Sequence, residues 1–161
     1  MRTVPRFTNF KAASETASRI KKRNRSRDTK AEMTLRKELW RRGLRYRVHA
    51  SDLPGKPDLV FRRARVAVFC DGDFWHGRGW RRRRQKLARG SNAAYWTAKI
   101  AANVSRDRRN TRLLRAAGWT VLRLWETDIL GDVPTIVARV ASAVRAGDSD
   151  TKIAVRRSSR G

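Results

Sequence analysis

Two aspartates, Asp58 and Asp71, stand on either side of a short basic turn in the stretch PDLVFRRARVAVFCDG, residues 57–72. Apolar runs before and after RRAR predict two strands joined by about four residues, hence an antiparallel hairpin. Centring the turn near Arg63–Ala64 leaves two registers open. With Asp58 opposite Phe69, Asp71 lies diagonally on the same face, roughly 7–8 Å away at Cα. With Asp58 opposite Cys70, that residue's backbone carbonyl is the near neighbour instead. Either way two hard oxygen donors gather at one end of the hairpin. Magnesium takes oxygen ligands and keeps several waters, so one or two carboxylates, a carbonyl and a substrate phosphate complete a site. Such an ion polarises a phosphodiester and activates a water. The competing reading is that Asp58 serves a Pro-Asp turn, where aspartate is common for backbone reasons alone.

The charge balance narrows the substrate. Forty Lys plus Arg against 14 Asp plus Glu give a formal +26 and a sequence pI near 11.9. So large an imbalance repels itself and favours association with a polyanion. A membrane surface fits less well, because the sequence shows no long apolar run, signal peptide or acylation motif. Most of the excess is Arg, which forks onto phosphate or onto a guanine edge, so nucleic acid is the better partner. Each phosphate neutralised should steepen the salt dependence by roughly 0.9 in log–log slope. A ribosomal or nucleoid-coating protein would carry the same balance, so charge alone does not make an enzyme. Cys70 is the only cysteine. That excludes an internal disulfide and a multi-cysteine zinc site, and suits a reducing cytoplasm.

These residues need elements to hold them, and 161 residues at 40% hydrophobic content suffice for one domain with one core. Residues 1–27 read as a basic flexible arm. Residues 28–43 predict a helix, with Met33, Leu35, Leu39 and Trp40 as its apolar side and Gly43 as its stop. Residues 44–50 alternate as a strand. Residues 57–61 form a second strand and residues 66–72 a buried third, with the LPGK turn at 53–56 before them. A basic loop over 77–90 precedes a long helix over 92–117, stopped by Gly118. A fourth strand covers 119–126, and a last helix over 134–146 carries Ile136, Val137, Val140 and Val144 on one side. Residues 148–161 read as a basic disordered tail. The order is helix, three strands, helix, strand, helix: an α/β (α+β) domain over 28–147, with a small mixed sheet flanked by helices.

Several side chains carry a plain structural reading beside a functional one. Glu32 follows Thr29 by three residues, the spacing of a capping box. His76, between Trp75 and Gly77, could be an ordinary packed or surface histidine. Phe74 and Trp75 cannot both point inward from a strand, which favours one exposed, functional ring. Trp40, Trp119 and Trp125 lie in regular elements and read as core. Asp107 among Arg106, Arg108 and Arg109 reads as a solvated helix face. Arg81, Arg82, Arg83 and Arg84 have no packing role as a loop run and are assigned to the DNA backbone.

The stretch LRYRVHASDLPGKPDLVFRRARVAVFCDGDFWHG, 44–77, resembles the core of the very-short-patch mismatch repair (Vsr-type) endonucleases. The stretch AAYWTAKIAANVSRDRRNTRLLRAAGWTVLRLWE, 93–126, resembles their second half. LPGKPD, FWHG and W-x-x-K-I-x-x-N-x-x-R-D carry the likeness, which spans about residues 28–132. It implies a restriction-endonuclease-like fold and a magnesium-dependent endonuclease that nicks duplex DNA beside T:G mismatches, such as those left by 5-methylcytosine deamination. By position it implies Asp58 as the metal-binding carboxylate and Cys70 as donor of a backbone carbonyl. His76 falls at the active centre and Glu32 lines it. Phe74, Trp75 and Trp96 would wedge into the base stack, and Lys99 of the W-x-x-K-I stretch joins the DNA contacts. A wedge of that kind costs a few kcal/mol of unstacking, less at a mismatch.

Two departures from the family pattern stand out. Relatives hold a structural zinc where this chain has Asp73, Arg78, Trp80 and Thr127, and one carboxylate cannot hold zinc alone, so no zinc is expected. Trp80 packing is one way to hold that loop. Asp71 stands where relatives often have a histidine, so a general acid/base imidazole would be missing there; the aspartate either assists as a second metal ligand or replaces that acid/base. The expected enzyme is a cytoplasmic, nucleoid-associated monomer that meets DNA-repair or methylation-associated proteins. Its rivals are a restriction or defence nuclease of the same fold and a non-catalytic DNA-binding protein.

Overall fold

Thr29 opens the first helix. Its Oγ1 accepts the N–H of Glu32 at 3.2 Å, and helix α1 runs over Lys30–Arg41. The computed structural model describes residues 27–79, 82, 85 and 93–158, with side chains through Thr151. The basic arm, but for Arg27, therefore lies outside the described residues, as do Trp80, Arg81, Arg83, Arg84 and the last three residues. On α1 the buried stripe is Ala31, Leu35 and Leu39 with Glu32 beside it. That is an i, i+4, i+8 row, the period of one helix face. Met33 and Trp40 fall off this row and are 46% and 53% exposed, so Trp40 is not core. Gly43, at φ 78, ends the helix as its sequence position predicts.

Four strands form one sheet in the order β1-β2-β3-β4: β1 Arg47–Val48, β2 Leu59–Phe61, β3 Val66–Asp71 and β4 Thr120–Trp125. The first three are antiparallel neighbours, and β4 joins β3 in parallel. β1 is shorter than the alternation over 44–50 predicts. His49 takes a left-handed backbone, φ 48, which ends the strand. In the hairpin Leu59 pairs with Val68, and continuing that register sets Asp58 opposite Phe69, the first of the two alternatives. β3 is buried on both faces. Val66 and Val68 pack with Leu35, Leu39, Leu124, Ile129, Val137 and Val140 on one side. Ala67 and Phe69 pack with Leu114 and Val121 on the other. A strand covered twice must be apolar throughout, which is why VAVF reads as a continuous run.

Helix α2, Ala93–Ala116, is the crossover that brings β4 alongside β3. A short helix α3, Glu126–Gly131, follows β4 directly and has no clear sequence signal. Helix α4, Val133–Ser158, continues well past 146, so the stretch from 148 through Ser158 is helical rather than a disordered tail. The sequence reading ended the last helix at 146, one residue before Gly147. In the structure it is a contact point. A Cβ there would sit 2.0 Å from the Ala64 carbonyl oxygen, so only glycine lets α4 cross the β2–β3 turn. Beyond it Thr151 Oγ1 donates to the Arg63 carbonyl at 3.1 Å. No described helix is long and apolar enough to cross a membrane.

Gly147→Ala therefore tests the packing of α4. In an open helix this change stabilises by about 1 kcal/mol. Here it should destabilise by about 1–3 kcal/mol through overpacking, seen as a lower urea midpoint. A higher midpoint would mean that α4 does not press on the turn.

Candidate active site

Asp58 sits just before β2, where the ladder between β2 and β3 opens. Its Oδ2 accepts the backbone N–H of Cys70 at 2.7 Å. The main chain explains why that N–H needs a side chain. The Pro57 carbonyl is already taken by Ala50 N–H at 3.3 Å, and the Asp58 carbonyl by His49 N–H at 3.0 Å. The hairpin register, continued by one more residue, puts Pro57 opposite Cys70. Proline has no N–H, so it cannot supply the ladder bond to the Cys70 carbonyl. A carboxylate and a main-chain carbonyl with no ladder donor opposite thus stand at one sheet edge.

The electrostatics favour a cation here. Burial, opposed by the Cys70 N–H and reinforced by the charges of Glu32 and Asp71, pushes the Asp58 carboxyl up to about 6. A carboxylate that resists ionising alone gains most from a metal ion. Burial, with Asp58 close by, also pushes the Cys70 thiol well up, so it stays protonated and is not a thiolate ligand. The donors that remain are hard oxygens, which fit magnesium and not zinc.

Glu32 is 1% exposed and faces this corner from α1. Its Oε2 accepts Asp28 N–H at 2.9 Å, so the capping box reaches one residue further out than the Thr29 spacing implies. Its Oε1 lies 3.4 Å from both Arg36 Nη1 and His49 Nε2. Asp28, Glu32 and His49 bring ligand atoms within 4.8 Å of one another. Arg36 Nη1, 2.7 Å from Asp28 Oδ1, already supplies the positive charge there.

Asp71 behaves differently from the expectation of a second metal ligand. It is 3% exposed, and both its oxygens are held by Arg123, Oδ2 by Nε and Oδ1 by Nη2, each at 2.6 Å. Two-point pairing of this kind commits the carboxylate to the guanidinium. Arg123 carries no sequence signal, because an arginine in a basic chain is unremarked.

His76 lies in the turn after β3, its backbone N–H donating to the Gly72 carbonyl at 3.2 Å. Its Nδ1 is 2.6 Å from Asp107 Oδ2 and 3.5 Å from Asp71 Oδ1. Asp107 is thus not on a solvated face; its side chain is 13% exposed, and Arg123 Nη2 lies 3.3 Å away. Burial works against its charge, but the His76 hydrogen bond and the Arg123 charge outweigh burial and hold it below the usual carboxylate range. A signal for Asp107 does exist in the sequence. Trp96, Asn103 and Asp107 recur at i, i+7 and i+11, on one face of α2. That face meets the turn at 72–79: Asn103 Nδ2 donates to the Trp75 carbonyl at 3.1 Å, beside the His76–Asp107 bond.

The third point of contact on that face is aromatic. Phe74 meets Trp75 at 5.0 Å and Trp96 at 5.8 Å between centroids, and Trp75 meets Trp96 at 5.7 Å. All three rings are half-buried and pack on one another. The pair Phe74-Trp75 belongs to a turn, not to a strand, so both rings can lean the same way. Lys99 Nζ donates to Tyr95 Oη at 3.2 Å, and Arg82 is exposed.

The same turn is tied down at its far end. Arg78 Nη1 donates to Thr127 Oγ1 at 2.6 Å, and Thr127 Oγ1 donates to Asp73 Oδ1 at 3.1 Å. Arg78 Nη2 pairs with Asp128 at 2.7 Å. Asp73, Arg78 and Thr127 are three of the four positions where the family resemblance implies zinc in relatives. Exposed ion pairs of this kind contribute little to global stability and weaken with salt. Arg78→Ala should therefore speed amide hydrogen exchange across 72–79 with little loss of global stability. Unchanged exchange there would show that the pairs do not hold the turn.

The family described as "DNA mismatch endonuclease Vsr" matches residues 11–82. The type II nicking enzyme V.NmeDIP of Neisseria meningitidis serogroup C is 42% identical over 122 residues, 76% of this chain and 81% of that protein. The type II nicking enzyme V.HpaIIP of Haemophilus parainfluenzae is 36% identical over 125 residues, 78% of this chain and 87% of that protein. The DNA mismatch endonuclease Vsr of Escherichia coli (strain K12) is 38% identical over 106 residues, 66% of each chain. The chain belongs to the Vsr family: it is a DNA-nicking endonuclease of restriction-endonuclease-like fold.

Proposed function

We propose that this endonuclease uses magnesium to nick one strand of duplex DNA beside a T:G mismatch. The observation that carries the reading is Asp58 anchored on Cys70 N–H, beside a carbonyl to which Pro57 can give no hydrogen bond. Magnesium held by Asp58 and that carbonyl would polarise the scissile phosphate and activate water. With Nδ1–H given to Asp107, His76 keeps Nε2 to accept or return a proton at a phosphate or water oxygen. Asp107 orients the ring and stabilises its protonated form. Glu32 adds a buried negative charge facing Asp58 and helps to order water.

The Phe74, Trp75 and Trp96 cluster supports the mismatch assignment, since apolar rings inserted beside a weakened pair unstack it at least cost. The matching family and the Escherichia coli relative are described as mismatch endonucleases, which points the same way. The arginines at 81–84 and the basic arm would hold the backbone.

The titration of Asp58 gives this reading a pH signature. Its carboxyl is raised from 3.8 to about 6, so ionising it costs the metal-free fold stability as pH rises through that window, and nothing below it. Metal-free Asp58→Asn should be more stable than the metal-free parent at about pH 7.5, and the gap should close by about pH 4. Magnesium should raise the parent's melting temperature at the higher pH only, and the Asn variant's at neither. Strand nicking of a T:G duplex should stop on chelation, return with added magnesium and fall as pH drops below about 6. Full nicking in chelator would sink the metal assignment.

A further inference from the structure

We propose that Arg123 is a positioning residue of the active centre, one that occupies Asp71 so that His76 is held by Asp107 alone. The inference rests on the role given to His76 above and adds a residue to it.

Arg123 projects from β4 at the position paired with Phe69, and its guanidinium lies 4.5 Å from the centroid of that ring. From there it reaches two acids. Nε and Nη2 clamp Asp71, and Nη2 also lies 3.3 Å from Asp107. The imidazole that these acids flank is equally close, with Nδ1 3.5 Å from both Arg123 Nη2 and Asp71 Oδ1. Arg123 thus stands between two carboxylates that could each accept the same ring proton.

Counting charges shows what Arg123 decides. With a neutral imidazole, Asp71 and Asp107 carry two negative charges; Arg123 offsets the buried one at Asp71, and the largely exposed Arg106, 3.8 Å from Asp107, offsets part of the other. Without it, Asp71 would be a buried carboxylate lacking its cation, and the nearest donor left to it among those contacts is His76 Nδ1. The ring would then be shared between Asp71 and Asp107, and Nε2 would turn with it. A general acid or base displaced in this way loses rate without losing substrate affinity. Lysine could neutralise Asp71 but could not clamp both oxygens in the plane of the carboxylate.

The arrangement makes a rescue possible. A buried ion pair can be replaced by two apolar side chains of similar size with little cost, whereas removal of one partner leaves a charge uncompensated. Arg123→Leu strands Asp71, and Asp71→Leu in the same chain removes the stranded charge and the competing acceptor together. The His76–Asp107 bond needs neither residue once both are apolar.

The test compares the parent, Arg123→Leu and Asp71→Leu/Arg123→Leu on the T:G duplex that the parent nicks. Arg123→Leu should lower kcat by about 10²-fold with KM nearly unchanged, and the double variant should recover to within about tenfold of the parent. Proton NMR supplies a second readout that needs no activity. The chain has two histidines, so the His76 Nδ1–H resonance can be assigned with a His49→Gln control. A 2.6 Å bond to Asp107 should place that proton far downfield in the parent. It should move or vanish in Arg123→Leu and return in the double variant. Parent-like kcat in Arg123→Leu, or a folded double variant no more active than the single one, would overturn the proposal. So would a downfield proton that Arg123→Leu leaves unchanged. If the parent fails to nick, the functional reading fails, and the NMR series still decides whether Arg123 positions His76.

Discussion

Asp58→Ala abolishes strand nicking: the expected loss is about 10³-fold or more in kcat/KM, or roughly 4 kcal/mol of transition-state stabilisation. Among the described residues no nearby carboxylate is placed to substitute. Asp71 is clamped by Arg123, and Glu32 is engaged by Asp28, Arg36 and His49. The variant should still fold, because it removes a charge that burial disfavours, and the Cys70 N–H it strands lies at the open end of a ladder. DNA binding should survive almost unchanged, since the affinity comes from lysines and arginines that the substitution leaves alone. A gel-shift titration beside a nicking assay separates the two quantities. Loss of binding along with cleavage would mean that Asp58 supports the fold more than the chemistry.

The second large effect concerns the pair on the other side of Cys70. His76→Ala should lower kcat by about 10²–10⁴-fold, the range of a lost general acid or base. Asp107→Asn should cost less, about 10–100-fold, because the ring remains but its tautomer and orientation are no longer enforced. Residues that act as one unit do not add. The double variant His76→Ala/Asp107→Asn should therefore be no slower than His76→Ala alone. Multiplicative losses in single-turnover kinetics would show that Asp107 acts on the reaction by some route other than His76.

What the sequence made legible is what local chemistry encodes. Thr29 and Glu32 marked the start of α1, and Gly43 and Gly118 marked two helix ends. The four-residue turn limited the β2–β3 hairpin to two registers, and the observed one is the first of them. The family likeness pointed to Asp58 and His76, and the structure gives each a fixed setting, Asp58 against Cys70 beside Pro57 and His76 against Asp107.

What stayed hidden depends on contacts between distant elements. Gly147 falls just past the expected end of the last helix at 146 and drew no notice in the sequence. Its purpose appears only when Ala64, far away in sequence, is seen against it. Asp107 sits in an arginine-rich stretch whose plain reading is solvent, and only the α2 face shared with Trp96 and Asn103 argues otherwise. Asp71 reads as a metal ligand until Arg123 arrives across the parallel pairing of β3 and β4. In a chain with 40 Lys plus Arg, no sequence rule separates an arginine such as Arg123, clamped on a buried acid, from those on the surface.

The most direct measurement incubates the protein with magnesium and two end-labelled duplexes, alike except that one carries a T:G mismatch where the other has T:A. A panel of flanking sequences and an Asp58→Ala control complete it. The account predicts a nick in one strand of the mismatched duplex, none in the matched one, and none with the control. Equal cutting of the matched duplex would contradict the mismatch assignment, and cleavage that persists in Asp58→Ala would contradict the site itself.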